Sequence, residues 1–209
     1  MKLIMFTLLF AASRMLADDD TNMVAAGDWS QPVGTEHGPA IRGRLIVCYF
    51  PDQVRPGFKT PIAAYLETHT VVCLELQEVS LTVRPVGVYR DTLPPNIGLH
   101  CELRDSGGKL IPRSADGFFA GSFTRSWSWL QPHDSVRWHV SHYLGYREDG
   151  VLAVHLKNGE FWDVSNTNEY YLSGTFSPRV PENETPPSDI DAWNGTLTLP
   201  GVKIPIKIQ

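Results

Sequence analysis

The sequence predicts an all-β chain, folded as an antiparallel sandwich or barrel, and three observations carry that expectation. Ten short runs of β-type residues, at 41–50, 70–80, 86–90, 99–104, 126–130, 135–143, 151–157, 161–164, 169–177 and 193–208, are separated by turn chemistry. Sixteen Pro and 17 Gly in 209 residues fall between the apolar stretches, where they end elements. No long helical period appears, and a parallel sheet would need crossover helices that the sequence does not supply. At 42% hydrophobic and 20% charged residues the chain has the composition of a globular protein. Its 23 Asp and Glu against 18 Lys and Arg leave no electrostatic footprint for a phosphate backbone, so no nucleic-acid partner is expected.

The N-terminus opens with Lys2 and an apolar run over 3–12 that is too short to span a bilayer and matches the core of a secretory signal. Ala17 supplies the small residue for cleavage and Asp18, Asp19 and Asp20 follow it, with a cut near Ser13 as the alternative. The expected organisation is a signal peptide over 1–17, a flexible Gly- and Pro-bearing leader over 18–39, and a single β-domain over 40–209. No later stretch reaches the ~18 to 20 apolar residues of a membrane-spanning helix. The mature chain is therefore expected to be secreted or periplasmic.

Export makes disulfides chemically possible, yet three cysteines cannot all pair within one chain. Alternation along a strand assigns faces. Over 71–77, Val72, Leu74 and Leu76 share the apolar face, which sends Cys73 outward with Glu75 and Gln77. Cys101 shares its face with Leu99 and Leu103 and points inward as a small buried hydrophobe. A Cys73–Cys101 bridge is thus disfavoured, while Cys48, in a run apolar on both faces, can pair with either.

Two turns are well specified. Asn158-Gly159 suits a two-residue type I′ hairpin, which sets His155 against Trp162 and Leu156 against Phe161, with His155 and Trp162 outward. Asp105-Ser106-Gly107-Gly108 folds 99–104 back onto 109–111. Later, Val136, Trp138 and Val140 face inward and Arg137, His139 and Ser141 outward; Tyr170, Leu172 and Phe176 face inward, and Gly174 leaves room for a bulky neighbour such as Trp138. The last run is expected to break at Pro200, and 177–191, with its four prolines, to form an exposed loop.

Three segments, Leu130-Gln131-Pro132-His133-Asp134-Ser135-Val136-Arg137-Trp138, Glu169-Tyr170-Tyr171-Leu172-Ser173-Gly174-Thr175-Phe176 and Trp193-Asn194-Gly195-Thr196-Leu197, resemble consecutive strands of immunoglobulin-like sandwiches in exported bacterial proteins. The stretches 74–80 and 99–109 are similar to the early strands of the same layout. The resemblance covers the last two thirds of the chain and implies an antiparallel immunoglobulin-like β-sandwich. The Cys, Trp, Cys spacing of antibody domains is not part of it.

No complete catalytic constellation is legible. His139 and His142 are three apart, which in a strand puts them on opposite faces, and no carboxylate stands at a ligand spacing, so no metal or other cofactor is expected. Gly-x-Ser-x-Gly, Walker and dinucleotide fingerprints do not occur. Trp127 and Trp129 share a face and read as core. The expectation is an exported, non-catalytic binding module that presents Trp162, His155, Arg137 and His139 to a protein or polysaccharide. A carbohydrate-binding module with an aromatic strip is one alternative. A proteinase inhibitor acting through the loop at 105–119 or 177–191 is another.

Overall fold

The computed structural model describes residues 22–34, 38–49, 70–80, 84–91, 98–116, 125–146, 152–164 and 169–205; the expected signal peptide lies outside them. In chain order the first strands are β1 (Asn22–Ala26), β2 (Val33–Gly34), β3 (Ala40–Tyr49), β4 (Thr70–Glu78) and β5 (Val86–Asp91). Then come β6 (Leu99–Asp105), β7 (Leu110–Ile111), β8 (Ala115–Asp116), β9 (Arg125–Leu130), β10 (Ser135–His139) and β11 (Ser141–Tyr146). The series closes with β12 (Leu152–Leu156), β13 (Glu160–Val164), β14 (Tyr170–Phe176), β15 (Asp191–Trp193) and β16 (Leu197–Ile204), and no helix occurs among the described residues.

The strands form four sheets, ordered β1-β3-β4-β10 with β2 beside β3, β11-β12-β13-β8, β16-β14-β6-β7, and β15-β5-β9. Every described pairing is antiparallel except that of β15 with β5, which is parallel. The expected antiparallel all-β class is thus observed, with that one exception. Alternation places Leu45 and Val47 of β3, Leu74 and Leu76 of β4, and Leu99, Leu103, Leu172, Phe176, Leu197, Leu199 and Val202 in one shared core. Each such side chain contributes about 1.5–3 kcal/mol by leaving water. Gly43 lets β3 and β16 close up, because a Cβ there would stand 2.8 Å from Leu197 Cδ1 and 3.1 Å from Leu199 Cδ2.

One chain segment joins two sheets. β10 pairs with β4, and after Val140 the same run continues as β11 against β12. The change of partner explains a departure from simple alternation: Ser141, expected outward, is buried, and its hydroxyl accepts the Val72 N–H at 2.7 Å. Sheet corners are commonly made by strands that switch sheets in this way.

The leader is part of the fold over its described residues. β1 and β2 both pair with β3, Gly27 N donates to Leu45 O, and Trp193 Nε1 donates to Val33 O at 2.8 Å. Residues 22–34 of the expected leader are thus paired with the first sheet. The Asp105 turn forms as expected: Asp105 Oδ1 accepts from Gly107 N and Lys109 N, and Gly108 takes a φ of +80°. The break expected at Pro200 is instead a bulge, with Pro200 and Gly201 set against Ser173 alone between the pairs Gly174–Leu199 and Leu172–Val202. The true interruption, at 194–196, separates β15 from β16.

Three further expectations are corrected. The hairpin loop has three residues, Lys157, Asn158 and Gly159, with Gly159 at a φ of +91°, which fits a type I turn closed by a glycine bulge. The added residue shifts the register by one, so His155 faces Phe161 and Trp162 faces Val154, and Trp162 is 1% exposed in the core. Trp127 and Trp129 lie on the face away from the core, because Leu130 pairs with the buried Val86 and fixes the parity of β9. Gly174 makes room for a neighbouring backbone, since a Cβ there would lie 2.3 Å from His100 O, while Trp138 packs edge-on against Phe176.

Candidate functional site

The outer face of the β16-β14-β6-β7 sheet is polar. Register places Thr198, Thr175 and His100 in one row, and sets Ser173 against Glu102 in the next. Beyond β6 the sheet narrows, because β7 pairs only with Leu103 and Arg104. The N–H of Cys101 and the carbonyl of Leu99 are therefore left at an open strand edge. Two side chains from the β12–β13 hairpin complete that edge: Asn158 Nδ2 donates to Leu99 O at 2.7 Å, and Glu160 Oε2 accepts from Cys101 N at 2.9 Å.

A groove of about 750 Å³ runs from the Thr198–Thr175–His100 row to Glu160. Leu110, Ile111, Pro112 and Pro200 add apolar lining, and the core residue Trp162 borders the groove, its Nε1 donating to Ile111 O at 3.3 Å. Glu160 is the central group. Its side chain is 7% exposed, and its second oxygen, Oε1, faces His100 Nδ1 at 3.8 Å and Arg113 Nη1 at 3.7 Å. Both separations exceed hydrogen-bond length. Both lie within ion-pair range, so Glu160 faces one permanent cation, Arg113, and one ring that is a cation when protonated, His100.

Cys101 also borders the groove. Burial, and after it the charge of Glu160, push its thiol well above the usual thiol range. It stays protonated at neutral pH and is a poor nucleophile. Among the described residues no group of three or more His, Cys, Asp or Glu is placed to hold a metal ion. No helix among them is long and apolar enough to cross a membrane.

The four residues expected to form a binding surface do not converge. Trp162 lies inside, as part of the groove wall. His155 is half-buried on the other face of the same hairpin, edge-on to Phe161 at 5.3 Å. Arg137 and His139 lie on the outer face of β10, where Arg137 Nε donates to Glu75 Oε1 at 2.9 Å and His139 stands opposite Cys73. Glu160, His100 and Arg113 escaped sequence reasoning. Only the outward direction of His100 was available, from the inward parity of Cys101.

A second surface lies on the β15-β5-β9 sheet. Trp129 is 60% exposed beside Trp127, which packs edge-on to Tyr89 at 5.3 Å. The segment at 177–190 crosses part of this face: a Cβ on Gly87 would meet Ile190 Cδ1 at 2.3 Å and Trp127 Cε3 at 3.1 Å. Arg84 anchors the same segment through Ser188 O and Asp191.

Fold and groove define an all-β protein with a polar, carboxylate-centred recess on one sheet. Comparison of the chain with protein families, with curated proteins and with solved structures finds no match.

Proposed function

We propose that the protein is an exported, non-catalytic binding module, an immunoglobulin-like sandwich that seats a polar segment of a protein or polysaccharide in the Glu160 groove. The clustering of Glu160 with His100 and Arg113 at ion-pair distance on the groove carries this reading. The carboxylate is held in place by the Cys101 N–H, so an acceptor and two side chains that can donate are gathered at one point of the groove before a ligand arrives. Thr175 and Thr198 extend the polar rim, and the apolar lining supplies contact area.

The test uses the tryptophan fluorescence of the chain, to which Trp162 beside the groove contributes, titrated with soluble polysaccharides and with peptides. A saturable change that is lost in His100→Ala and kept in Trp129→Ala supports the groove. A change lost only in Trp129→Ala moves the seat to the β9 face and supports the carbohydrate-binding alternative. That second reading is favoured by one observation, the 60% exposure of Trp129 next to Trp127. Silence across the whole panel counts against both.

A further inference from the structure

The outer face of the first sheet is laid out in rows, each with one residue from β3, β4 and β10. Arg42, Gln77 and Ser135 form one row, and Arg44, Glu75 and Arg137 the next. Arg44 Nε and Arg137 Nε hold the two oxygens of Glu75 at 2.6 and 2.9 Å. Arg42 has a neutral partner, since its Nε and Nη2 donate to Gln77 Oε1 at 2.8 and 2.6 Å. Three guanidinium groups thus share one carboxylate, and no other carboxylate of the described residues pairs with them. The result is a local positive surplus on a chain of formal net charge -5. The rows open toward β10, where Ser135 is exposed and the Arg137 side chain is 40% exposed.

The segment between β1 and β2 fixes two of these cations. Ser30 N donates to Gly43 O at 2.8 Å and Gly43 N donates back to Ser30 Oγ at 3.0 Å, at the strand position between the two arginines of β3. Trp29 is thereby set against both, with Arg42 Cζ 4.7 Å and Arg44 Cζ 4.3 Å from its ring centroid. These cation–π contacts and the bonds to Glu75 and Gln77 cut the rotamer freedom that binding would otherwise have to remove. A guanidinium carries five N–H donors, so each arginine keeps Nη donors beyond the bonds named, in the planar fork that fits a carboxylate.

We propose that this face binds an acidic polysaccharide, a uronic-acid chain whose carboxylates take the remaining N–H groups of Arg42, Arg44 and Arg137. The cations spread about 7 Å along β3 and about 10 Å from β3 to β10, which suits an extended chain with repeated charges. An acidic peptide would draw on a strand edge or an apolar anchor. Neither is offered here, because β3 and β4 are paired on both sides and Ile46 and Cys73 in the following row are buried. A uronan needs only the guanidinium groups for its carboxylates and Ser135 and Gln77 for its hydroxyls. This surface is on a different sheet from the Glu160 groove and does not rest on what the groove binds.

The full chain is titrated by calorimetry with an oligogalacturonate, beside a neutral dextran and a polyglutamate of similar length. The expected result is saturable oligogalacturonate binding that weakens as salt is added, with dextran silent and polyglutamate at least tenfold weaker. Arg42→Gln removes a cation without unpairing a carboxylate, and Arg137→Gln leaves Glu75 its bond to Arg44. Each is expected to weaken binding about fivefold or more, and the double variant further. His100→Ala, in the groove, binds like the native chain. Thermal melts establish that the variants are folded, and Arg42→Gln alone decides if Arg137→Gln is not. Failure of the oligogalacturonate to bind at low salt overturns the proposal, as does binding unchanged in Arg42→Gln or lost in His100→Ala. Polyglutamate binding as tight as the uronan also overturns it, in favour of an acidic protein segment.

Discussion

Asn158 donates from its side-chain amide to the carbonyl of Leu99 across 2.7 Å, and its Oδ1 accepts the N–H of Glu160 at 3.0 Å. One turn residue therefore holds the hairpin loop in shape and ties it to the open edge of β6. Asn158→Ala removes both bonds and leaves the carbonyl of the buried Leu99 without this donor, an expected loss of about 2 kcal/mol. Asn158→Asp keeps the acceptor but sets a carboxylate against the carbonyl, and is expected to be no more stable than the alanine variant. Urea denaturation of the three proteins checks the order.

The same turn marks the boundary of what was legible. The hairpin, its Asn-Gly signal and the inward faces of Val154 and Leu156 follow from alternation, whereas loop length does not: two-residue and three-residue loops both use Asn-Gly, and one residue reverses the faces of Phe161 and Trp162. Trp127 and Trp129 depart from the expected core position for a related reason. Their shared face was evident, but the face that meets the core is settled by the pairing of Leu130 with Val86, a contact between distant segments. Glu160 becomes a site residue only through the edge of β6, which no local pattern displays. Cys73, by contrast, was placed correctly away from the main core by its parity with Leu74.

Glu78 is fully buried and holds a corner of the sheet. It accepts from Ser80 N at 2.5 Å, from the Ser80 hydroxyl and from His133 N at 2.7 Å. Glu78→Ala strips the acceptor from three donors and is expected to cost about 3 kcal/mol or more. His133 is the described non-glycine residue at positive φ, +65°, so His133→Gly is expected to lie within about 1 kcal/mol of the native chain, on the stabilised side. Thermal melts of both variants provide the measurement.

Gly174 is required by the approach of β6. A methyl group at this position would sit 2.3 Å from His100 O and 3.2 Å from Cys101 Sγ, and the nearest of these atoms belongs to a backbone that cannot rotate away. Gly174→Ala is expected to destabilise by about 2–3 kcal/mol. Because the displaced strand carries His100, ligand binding in the groove should weaken in the same variant. Native stability would refute the close-approach account.

Stability should fall on mild acidification partly through His155. Desolvation of its half-buried ring lowers its pKa below the ordinary 6.5. The unfolded chain then takes up the proton first, so the cost is absent above 6.5 and grows as pH falls from there toward the folded-state pKa. His155→Gln is expected to flatten the pH dependence of the urea midpoint over that window. A slope unchanged by the substitution would remove His155 from the explanation.

The seat of binding is tested most directly by mapping backbone amide shifts in a ¹⁵N-labelled chain as a saccharide or peptide ligand from the fluorescence screen is added. The groove predicts that the largest shifts fall on Cys101, whose N–H is bonded to Glu160, and on His100, Thr175 and Thr198 around it. They should saturate together and vanish in an Arg113→Ala, His100→Ala double variant that remains folded. Shifts confined to Trp127, Trp129 and their neighbours on β5, with the groove amides unmoved, would contradict it.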